Sequence, residues 1–325
     1  MKQVVLVTGE AGDAQGWGNM HVTEAVRDAI LASGTGCRIV CAENPEELKK
    51  GLAEGPCDLV WSSLYFFSAR ADIIGAAGED IVWVADLLDE WKIPYVGPSA
   101  RTMKNLIGKF TTHEILSRAG VRVPKHVLCP PNRAEDIDFF PAFVKPNGES
   151  RSIGISDRSV AETPEALAAQ IAFIQKELGQ EALIEEYLPG REYTVMVIGN
   201  GKYQEILPGL VSVDPSLYGK YPILRSDLRG VGVTKISIPK DHFDEAVELA
   251  RQAAAALDCR DHIRIDMREG ADGRLRIMEV NGIPGLKPVR SWSPQIYALY
   301  HPDGDPYQGL ISTIVHAALK SVESA

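Results

Sequence analysis

Two predicted strands near the end of the sequence carry the side chains most suited to binding a metal ion. In the stretch IRIDMREGADGRLRIMEVNGIPG, Arg264 and Asp266 are two residues apart, and so are Glu279 and Asn281. Side chains two apart in a strand point to the same face. Pairing the strands would therefore place a guanidinium, two carboxylates and an amide on one surface. Oxygen ligands of this kind suit Mg²⁺.

The simpler alternative is a hairpin whose polar side chains only face solvent, as is common for any single charged pair. Ile265, Met278 and Val280 alternate with the polar positions and are predicted to face the core. The three oxygen-bearing side chains of the hairpin also have no lysine beside them. We therefore favour the metal site over the solvated hairpin.

A loop rich in glycine and serine follows Lys145 in the stretch FVKPNGESRSIGI. Backbone N–H groups in such a loop can approach phosphate oxygens, and a lysine adds a positive charge. The small residues concerned are Gly148, Ser150, Ser152 and Gly154. The spacing is not that of a P-loop. Taken alone, the loop is equally compatible with a turn that binds nothing.

The first hundred residues alternate between strand and helix patterns. The apolar run VVLVTG predicts a strand, and HVTEAVRDAILASG predicts a helix that ends at a glycine. CRIVCAE and DLVWSSLYF predict two more strands. This alternation predicts a doubly wound parallel sheet with its ligand edge at the carboxyl ends of the strands. The loop TGEAGDAQGWGN is therefore the predicted functional loop here, and it lacks the G-x-G-x-x-G of a dinucleotide site.

After Ser99 the pattern changes from α/β to α+β. AFVKP and SIGIS are predicted as short strands on either side of the glycine-serine loop, and ALIEEYL and REYTVMVIG as two further strands. ETPEALAAQIAFIQKELG and HFDEAVELARQAAAALD have helical spacing. The predicted fold class is thus α/β followed by α+β.

Composition limits the partners that the chain is expected to have. It has 325 residues, of which 45% are hydrophobic, and a net charge of −10. An acidic chain of this kind disfavours nucleic acid or an anionic membrane as its main partner. No apolar run approaches the roughly 18 residues of a membrane-spanning helix. The five cysteines are scattered without a CxxC spacing, so we expect a protein of the reducing cytoplasm.

The order of the motifs resembles the ATP-grasp superfamily, and specifically the D-alanine–D-alanine ligase family. The motifs are Lys109, VKPNGESRSIGI, EEYLPGREYT, RIDMR and MEVNGIPG, which together span most of the chain. The resemblance implies an ATP-grasp fold with an N-terminal α/β domain at residues 1–98. A central subdomain at 99–190 and a C-terminal subdomain at 191–325 would hold ATP between them.

Taken position by position, the resemblance also implies the roles of individual residues. It implies phosphate contacts for Lys109, Lys145 and Lys220, the last on a loop that closes over the triphosphate. It implies an adenine and ribose site made of Glu185, Tyr187, Leu188, Met278 and Glu192. Asp266, Glu279 and Asn281 would hold two Mg²⁺ ions, or Mn²⁺ in their place. Arg264, Ser152 and the backbone N–H of Gly285 would serve catalysis.

The amino-acid site departs from the family pattern. The acidic motif expected after the first strand is missing, and Glu10 and Asp13 are nearby but out of register. Arg151 replaces the first of two serines in the phosphate loop. Arg290, beside Ser291, stands near the position expected for a serine that holds the acceptor carboxylate. Arg151 would suit an anionic or carbonyl group and would repel the ammonium of D-alanine.

These features predict an ATP-dependent ligase that joins a carboxylate to an amine through an acyl-phosphate, with a donor other than D-alanine. In the alternative, Arg151 pairs with Glu10 or Asp13 and D-alanine remains the donor of a cell-wall enzyme. A cyclase or carrier-protein ligase of specialised metabolism would use the same chemistry. A non-catalytic relative is disfavoured because all three metal ligands are present. The expected substrates are small and amino-acid-like, and the resemblance suggests a homodimer.

Overall fold

A parallel sheet of three strands, in the order β2–β1–β3, forms the start of the chain. The computed structural model describes residues 1–68, 81–130, 137–149, 151–228 and 232–324, so Ser150 of the predicted phosphate loop lies outside the described residues. Val4 and Leu6 pack on one face of the sheet, and Val5 and Val7 on the other. The strands are β1 (Gln3–Thr8), β2 (Gly36–Cys41) and β3 (Leu59–Ser62).

Helices cover both faces of this sheet, so the predicted doubly wound arrangement is confirmed. Asn19 and Asn44 each accept a hydrogen bond from a backbone N–H three residues later, which fixes the starts of two helices. A two-stranded antiparallel ribbon follows β3. The elements are α1 (Gly12–Gln15), α2 (Met20–Ala32), α3 (Pro45–Ala53), β4 (Phe66–Phe67), β5 (Val82–Trp83) and α4 (Val84–Glu90).

The central part of the chain contains an antiparallel sheet in the order β6–β9–β7–β8. One helix packs on it through Leu167, Ile171 and Ile174, and this helix starts where the Thr163 side chain accepts a hydrogen bond from the N–H of Ala166. The elements are β6 (His126–Cys129), β7 (Ala142–Pro146), β8 (Val160–Ala161), α7 (Pro164–Glu177) and β9 (Ala182–Glu186).

The predicted strand SIGIS is wrong. Residues 151–154 form turns instead, 155 and 156 belong to no strand, and the strand that pairs with β7 comes later, at Val160–Ala161. Arg151, Ser152 and Gly154 all have φ between +59° and +76°, in the left-handed region that interrupts a strand. The loop after Lys145 is consequently longer and more curved than the sequence pattern indicated.

The third sheet is antiparallel, with the order β12–β11–β10–β13–β14. Its apolar face packs against one helix, with Leu249 and Ala253 lying against Val195 and Ile265. The predicted hairpin is confirmed as β13 and β14. The elements are β10 (Glu192–Ile198), β11 (Glu205–Val213), β12 (Thr234–Ser237), α8 (Phe243–Ala256), β13 (His262–Glu269) and β14 (Leu275–Asn281).

The remaining helices join the sheets to one another. They are α5 (Ala100–Ile107), α6 (Lys109–Arg118), α9 (Trp292–Tyr300) and α10 (Pro306–Ser324). The last helix returns to the first sheet, because Leu310 and Ile314 share a core with Val26 and Ile30 of α2. No helix in the described part of the chain is long and apolar enough to cross a bilayer. The division at residues 98 and 190 stays a prediction.

Asp261 fastens the third sheet to the N-terminal part of the chain. One carboxylate oxygen accepts a hydrogen bond from the N–H of Gly97 (2.8 Å), and the other accepts from Asn200 Nδ2 (2.7 Å). Asn200 Nδ2 also lies 2.8 Å from Ser321 Oγ on α10. Asp261 is buried and has φ of +62°. This network fixes the angle at which the N-terminal loops face β13 and β14.

We expect Asp261→Asn to lower the free energy of unfolding by about 1–3 kcal/mol, because the new NH₂ group cannot accept one of the two hydrogen bonds. Asparagine keeps the size of the side chain and tolerates a positive φ. The matched control is Asp258→Asn, an exposed neighbour with φ of +55°, which should change stability by less than about 0.5 kcal/mol. Urea unfolding measures both, and equal effects would refute the role of Asp261.

Candidate active site

The hairpin β13–β14 brings its four polar side chains together, as their spacing predicted. Arg264 lies opposite Asn281, and Asp266 lies opposite Glu279. Arg264 donates two hydrogen bonds to the Asp266 carboxylate, from Nε (2.9 Å) and from Nη2 (2.8 Å). Thr194 Oγ1 on β10 and Asn281 Nδ2 also donate to the Asp266 carboxylate, at 2.8 and 3.3 Å. The buried charge of Asp266 is thus balanced and held in one orientation.

Met278 does not face the core, which corrects the alternation inferred from the sequence. The register of β13 and β14 shifts between Asp266 and Met267, so that Met267 pairs with Ile277 and Met278 is the extra residue of a β-bulge. Met278 consequently lines the same pocket as Glu279. The resemblance placed Met278 in the nucleotide site, and the bulge explains how it reaches that side.

A pocket with an open volume of about 810 Å³ lies between the central sheet and the third sheet. Its apolar lining includes Phe143, Ile153 and Ile223, while carboxylates and lysines lie at the end nearest the hairpin. Most of the residues implied for the nucleotide site line it: Lys109, Lys145, Ser152, Glu185, Tyr187, Leu188, Glu192, Asp266, Met278 and Glu279.

Lys145 and Glu185 form a buried ion pair inside this pocket. Lys145 Nζ lies 2.7 Å from Glu185 Oε1, and His113 Nε2 lies 2.6 Å from the same oxygen. Burial alone would raise the pKa of Glu185, but the charge of Lys145 and the contact with His113 outweigh it and lower that pKa to about 2. Glu185 therefore stays ionised and fixes the lysine in place.

Lys109 links the phosphate loop to the hairpin. Its Nζ lies 3.1 Å from Glu279 Oε1 and donates a hydrogen bond to the backbone oxygen of Glu149. Glu149 is itself held by Gln180 Nε2. The hairpin does have a lysine partner after all, supplied from α6 rather than from the neighbouring sequence. A positive charge is thereby held between two carboxylate-bearing segments.

The other end of the pocket is aromatic and is held by Arg268. This buried arginine donates from Nε to the backbone oxygen of Gly190 (3.0 Å) and lies 3.6 Å from a carboxylate oxygen of Glu192. Its guanidinium also lies 6.0 Å from the centre of the Tyr187 ring, which meets Tyr221 edge to face. Arg268 therefore contacts both Tyr187, implied for adenine, and Glu192, implied for ribose.

A second pocket, with an open volume of about 1500 Å³, meets the first one at Lys109, Glu149 and Glu279. The N-terminal loop closes it on one side, through Asp13, and the segment after β14 closes it on the other. Besides Lys109 and Glu279, six of the implied residues line it: Arg151, Arg264, Asn281, Gly285, Arg290 and Ser291. Phosphate and amino-acid chemistry could thus meet where the pockets join.

The segment from Gly285 to Ser291 forms a tight turn at the edge of this pocket. Ser291 Oγ accepts a hydrogen bond from the N–H of Lys287 (3.0 Å). A side chain at position 285 would come within 2.8 Å of that oxygen, so only glycine fits without a shift. The Arg264 guanidinium, which faces the same pocket, stacks 5.2 Å from the centre of a Trp292 ring. Arg290 stands exposed at the rim.

Arg151 faces the N-terminal loop. It donates from Nη1 to the backbone oxygen of Asp13 (2.8 Å), and its Nη2 lies 3.8 Å from the Asp13 carboxylate. Both side chains are more than half exposed. This contact corresponds to the alternative in which Arg151 rebuilds the link between the two loops. The altered-donor hypothesis placed Arg151 against the substrate. The pairing of Arg151 with Asp13 removes that reason for another donor.

Two of the implied residues are not brought into either pocket. Glu10 is exposed, and its backbone N–H bonds to Glu43 Oε1, whereas Asp13 lines the second pocket. Lys220 is also exposed and lies 2.7 Å from Glu162 Oε2. Its segment rests on the phosphate loop, where Ser152 Oγ donates to the backbone oxygen of Leu224 (3.1 Å). The contact of Lys220 with a triphosphate stays a prediction.

Sequence reasoning missed several residues of the two pockets, although some left a signal. Arg268 is two positions after Asp266 and so shares its face of β13. His113 is four positions after Lys109, on the same side of α6. Tyr65 left no signal, because its position depends on how the first sheet meets the third.

The oxygen-bearing side chains of the hairpin fit a hard divalent cation. Asp266 and Glu279 sit opposite each other on paired strands, with Asn281 on the same face. Among the residues that the structure describes, no three His, Cys, Asp or Glu side chains cluster as a metal site. The role of Asn281 as a third oxygen ligand therefore stays a prediction. Two carboxylates and an amide leave room for water and phosphate oxygens, as Mg²⁺ requires.

Comparison with known proteins identifies the family. A family model described as D-ala D-ala ligase C-terminus matches residues 122–316, which is more than half of the chain. The chain belongs to the D-alanine–D-alanine ligase family. It is an ATP-dependent ligase, and the resemblance seen in its motifs is confirmed.

Individual members of the family match most of the chain. The D-alanine–D-alanine ligase of Halalkalibacterium halodurans is 29% identical over 315 residues, covering 92% of this chain and 97% of that protein. The ligase of Gluconobacter oxydans is 30% identical over 278 residues, covering 82% and 88%.

Solved structures show the same ATP-grasp fold. The D-alanine–D-alanine ligase of Bacillus anthracis, solved in complex with ATP, superposes with a TM-score of 0.73 at 19% identity, covering 100% of this chain and 99% of that one. The D-Ala:D-Ser ligase VanG of Enterococcus faecalis gives 0.68 at 19% identity, covering 98% and 99%. The predicted fold class is therefore confirmed.

The pKa of Glu185 predicts how acid affects stability. A carboxyl whose pKa is about 2 when folded and about 4.3 when unfolded stabilises the fold above pH 4.3 and loses this contribution as the pH falls towards 2. The difference in unfolding free energy between the wild type and Glu185→Gln should therefore shrink between pH 5 and pH 2. Urea unfolding at several pH values measures it, and a constant difference would contradict the ion pair.

Proposed function

We propose that this chain is a D-alanine–D-alanine ligase that couples ATP cleavage to formation of the dipeptide bond. The observation that carries the proposal is the junction of the two pockets at Lys109 and Glu279. It is supported by relatives named D-alanine–D-alanine ligase that cover most of the chain. A terminal phosphate in the first pocket would there meet a carboxylate substrate in the second.

In this proposal the first pocket binds ATP. Tyr187, Leu188 and Met278 line the base, Glu192 accepts from ribose hydroxyls, and Lys109 and Lys145 neutralise phosphate oxygens. Asp266, Glu279 and Asn281 would hold Mg²⁺, with Glu279 shared if two ions bind. When bound, the metal would offset the charge that develops on the transferred phosphoryl group.

The second pocket binds the two amino acids. The carboxylate of the first D-alanine attacks the terminal phosphorus of ATP and ADP leaves, which gives an acyl-phosphate. The amine of the second D-alanine then attacks the acyl carbon, loses a proton, and phosphate leaves. Arg264 and the N–H of Gly285 stabilise the negative oxygen of the tetrahedral intermediate. Closure of the Lys220 loop would exclude water, which otherwise hydrolyses the acyl-phosphate.

D-alanine is the proposed donor because the contact of Arg151 with Asp13 removes the reason for another one. An arginine paired with the N-terminal loop does not present an uncompensated positive charge to the ammonium of the substrate. The cyclase and carrier-protein alternatives have no observation in their favour. We also propose a cytoplasmic enzyme and keep the homodimer as a prediction from the family.

The direct test is to incubate the protein with ATP, Mg²⁺ and D-alanine. We expect release of phosphate and an equal amount of D-alanyl-D-alanine, measured by mass spectrometry. Glu279→Gln should lower kcat by more than about 100-fold, because it removes a carboxylate from the proposed metal site. Glu248→Gln, an exposed change on α8, is the control and should leave the rate within about twofold. Phosphate release without dipeptide would contradict the proposed function.

A double-mutant cycle tests the proposed role of Arg151. Arg151→Ala and Asp13→Ala should each lower kcat/KM for D-alanine by less than about fivefold, because an exposed ion pair contributes about 1 kcal/mol or less. The double variant should be no worse than either single one, since the two side chains act as a pair. A wild type that prefers an anionic acid to D-alanine, and loses that preference in Arg151→Ala, would restore the altered-donor hypothesis.

A further inference from the structure

Tyr65 is a buried tyrosine in the wall of the second pocket that the roles above do not use. It is 9% exposed and lies in the segment before β4. The same pocket contains Arg264, Glu279 and Asn281. The charge of Glu279 raises the pKa of Tyr65 and the charge of Arg264 lowers it, so the hydroxyl lies near both side chains.

The backbone at Tyr65 is held by the N-terminal loop. Gln15 Oε1 accepts hydrogen bonds from the N–H groups of Tyr65 (2.9 Å) and Phe66 (3.1 Å), and Gln15 Nε2 donates to the oxygen of Phe66 (3.1 Å). The oxygen of Tyr65 accepts from the N–H of Val84 (3.0 Å). Gln15 is buried, so a polar side chain in the predicted functional loop serves to position Tyr65.

The ring and hydroxyl of Tyr65 are fixed as well. The ring packs in a small apolar cluster with Phe66 and Met103. The hydroxyl oxygen accepts a hydrogen bond from the N–H of Ile283 (2.8 Å), and a side chain at Gly282 would come within 3.5 Å of it. The tyrosine thereby joins the N-terminal part of the chain to the segment that carries Gly285.

The hydrogen of this hydroxyl has no acceptor among the residues that the structure describes, because the backbone interactions of the hydroxyl, with Ile283 and Gly282, both use its oxygen. Burial raises the pKa of Tyr65, so the proton remains on the oxygen at neutral pH. A buried donor normally has an acceptor. Neither neighbouring charged group accepts this hydrogen in the described structure: Glu279 is paired with Lys109 and makes no hydrogen bond with the Tyr65 hydroxyl, and Arg264 can only donate.

We propose that the Tyr65 hydroxyl donates a hydrogen bond to a carboxyl oxygen of the substrate that is activated by phosphorylation. This inference rests on the proposed function and deepens it. Arg264 would contact the same carboxyl group as a cation, and Tyr65 as a neutral donor. A neutral donor supplies directed binding without adding further positive charge next to the substrate ammonium.

Tyr65→Phe removes only the hydroxyl. We expect kcat/KM for D-alanine to fall by roughly 10- to 100-fold, as for loss of a hydrogen bond to a charged group. The KM for ATP should stay within about twofold, because the first pocket is untouched. Equilibrium binding of D-alanine, measured with a non-hydrolysable ATP analogue, should weaken in parallel and does not depend on turnover.

The matched control is Tyr300→Phe, which also loses one hydroxyl, bonded to the backbone oxygen of Pro208 (2.7 Å) away from both pockets. Its D-alanine kinetics should equal those of the wild type, and the two variants should have similar Tm values. Unchanged D-alanine kinetics in Tyr65→Phe would overturn the proposal. A parallel loss of ATP affinity and Tm would also overturn it, because Tyr65 would then act only through Ile283.

The outcome also separates this inference from the proposed function. If the wild type forms D-alanyl-D-alanine and Tyr65→Phe does so equally well, only the inference fails. If the wild type instead activates another acid from a panel of amino and hydroxy acids, the D-alanine assignment fails. The comparison is then repeated with that acid, and kcat/KM for it should still fall in Tyr65→Phe, because its carboxyl group loses one hydrogen-bond donor.

Discussion

The alternation of positive and negative side chains where the two pockets meet is the constraint on which the rest of the structure depends. Arg264 binds Asp266, and Lys109 lies against Glu279, so each buried or half-buried carboxylate has a cation beside it. An isolated charge at such a depth would cost several kcal/mol. Removing one partner would leave the other uncompensated, so these residues can only be explained as a set.

The four members of this set come from three elements, and the fold brings them together. β13 and β14 supply the carboxylates, α6 supplies Lys109, and the loop after β7 supplies the backbone oxygen of Glu149. The first turn of α6 is joined to that loop, because the N–H of Lys109 bonds to the oxygen of Asn147 (3.1 Å). The phosphate loop and Lys109 are therefore bonded to each other through both the backbone and the side chain of the lysine.

The sequence predicted features that depend on neighbouring residues. It did not predict contacts between distant segments or local departures from regular strand geometry. The shared face of Asp266 and Glu279 follows from a period of two, and the bulge that turned Met278 to the pocket could not be seen in that period. The strand SIGIS failed because its residues look extended yet adopt positive φ. Lys109 could be assigned by resemblance, but its contact with Glu279 spans 170 positions and only the fold creates it.

Arg151 illustrates why a departure from a motif is weak evidence for a new substrate. Judged from the sequence, an arginine in a phosphate loop looks like a new contact for an anion. Its guanidinium instead reaches the backbone oxygen and carboxylate of Asp13, in the loop that follows the first strand. Two changed positions can restore one contact by different chemistry. Meanwhile Gln15, in that same loop, is buried and bonds to the backbone of Tyr65 and of Phe66 at the start of β4. The shape of the substrate pocket therefore depends on the loop as a whole, and a single substituted residue does not determine which acid it accepts.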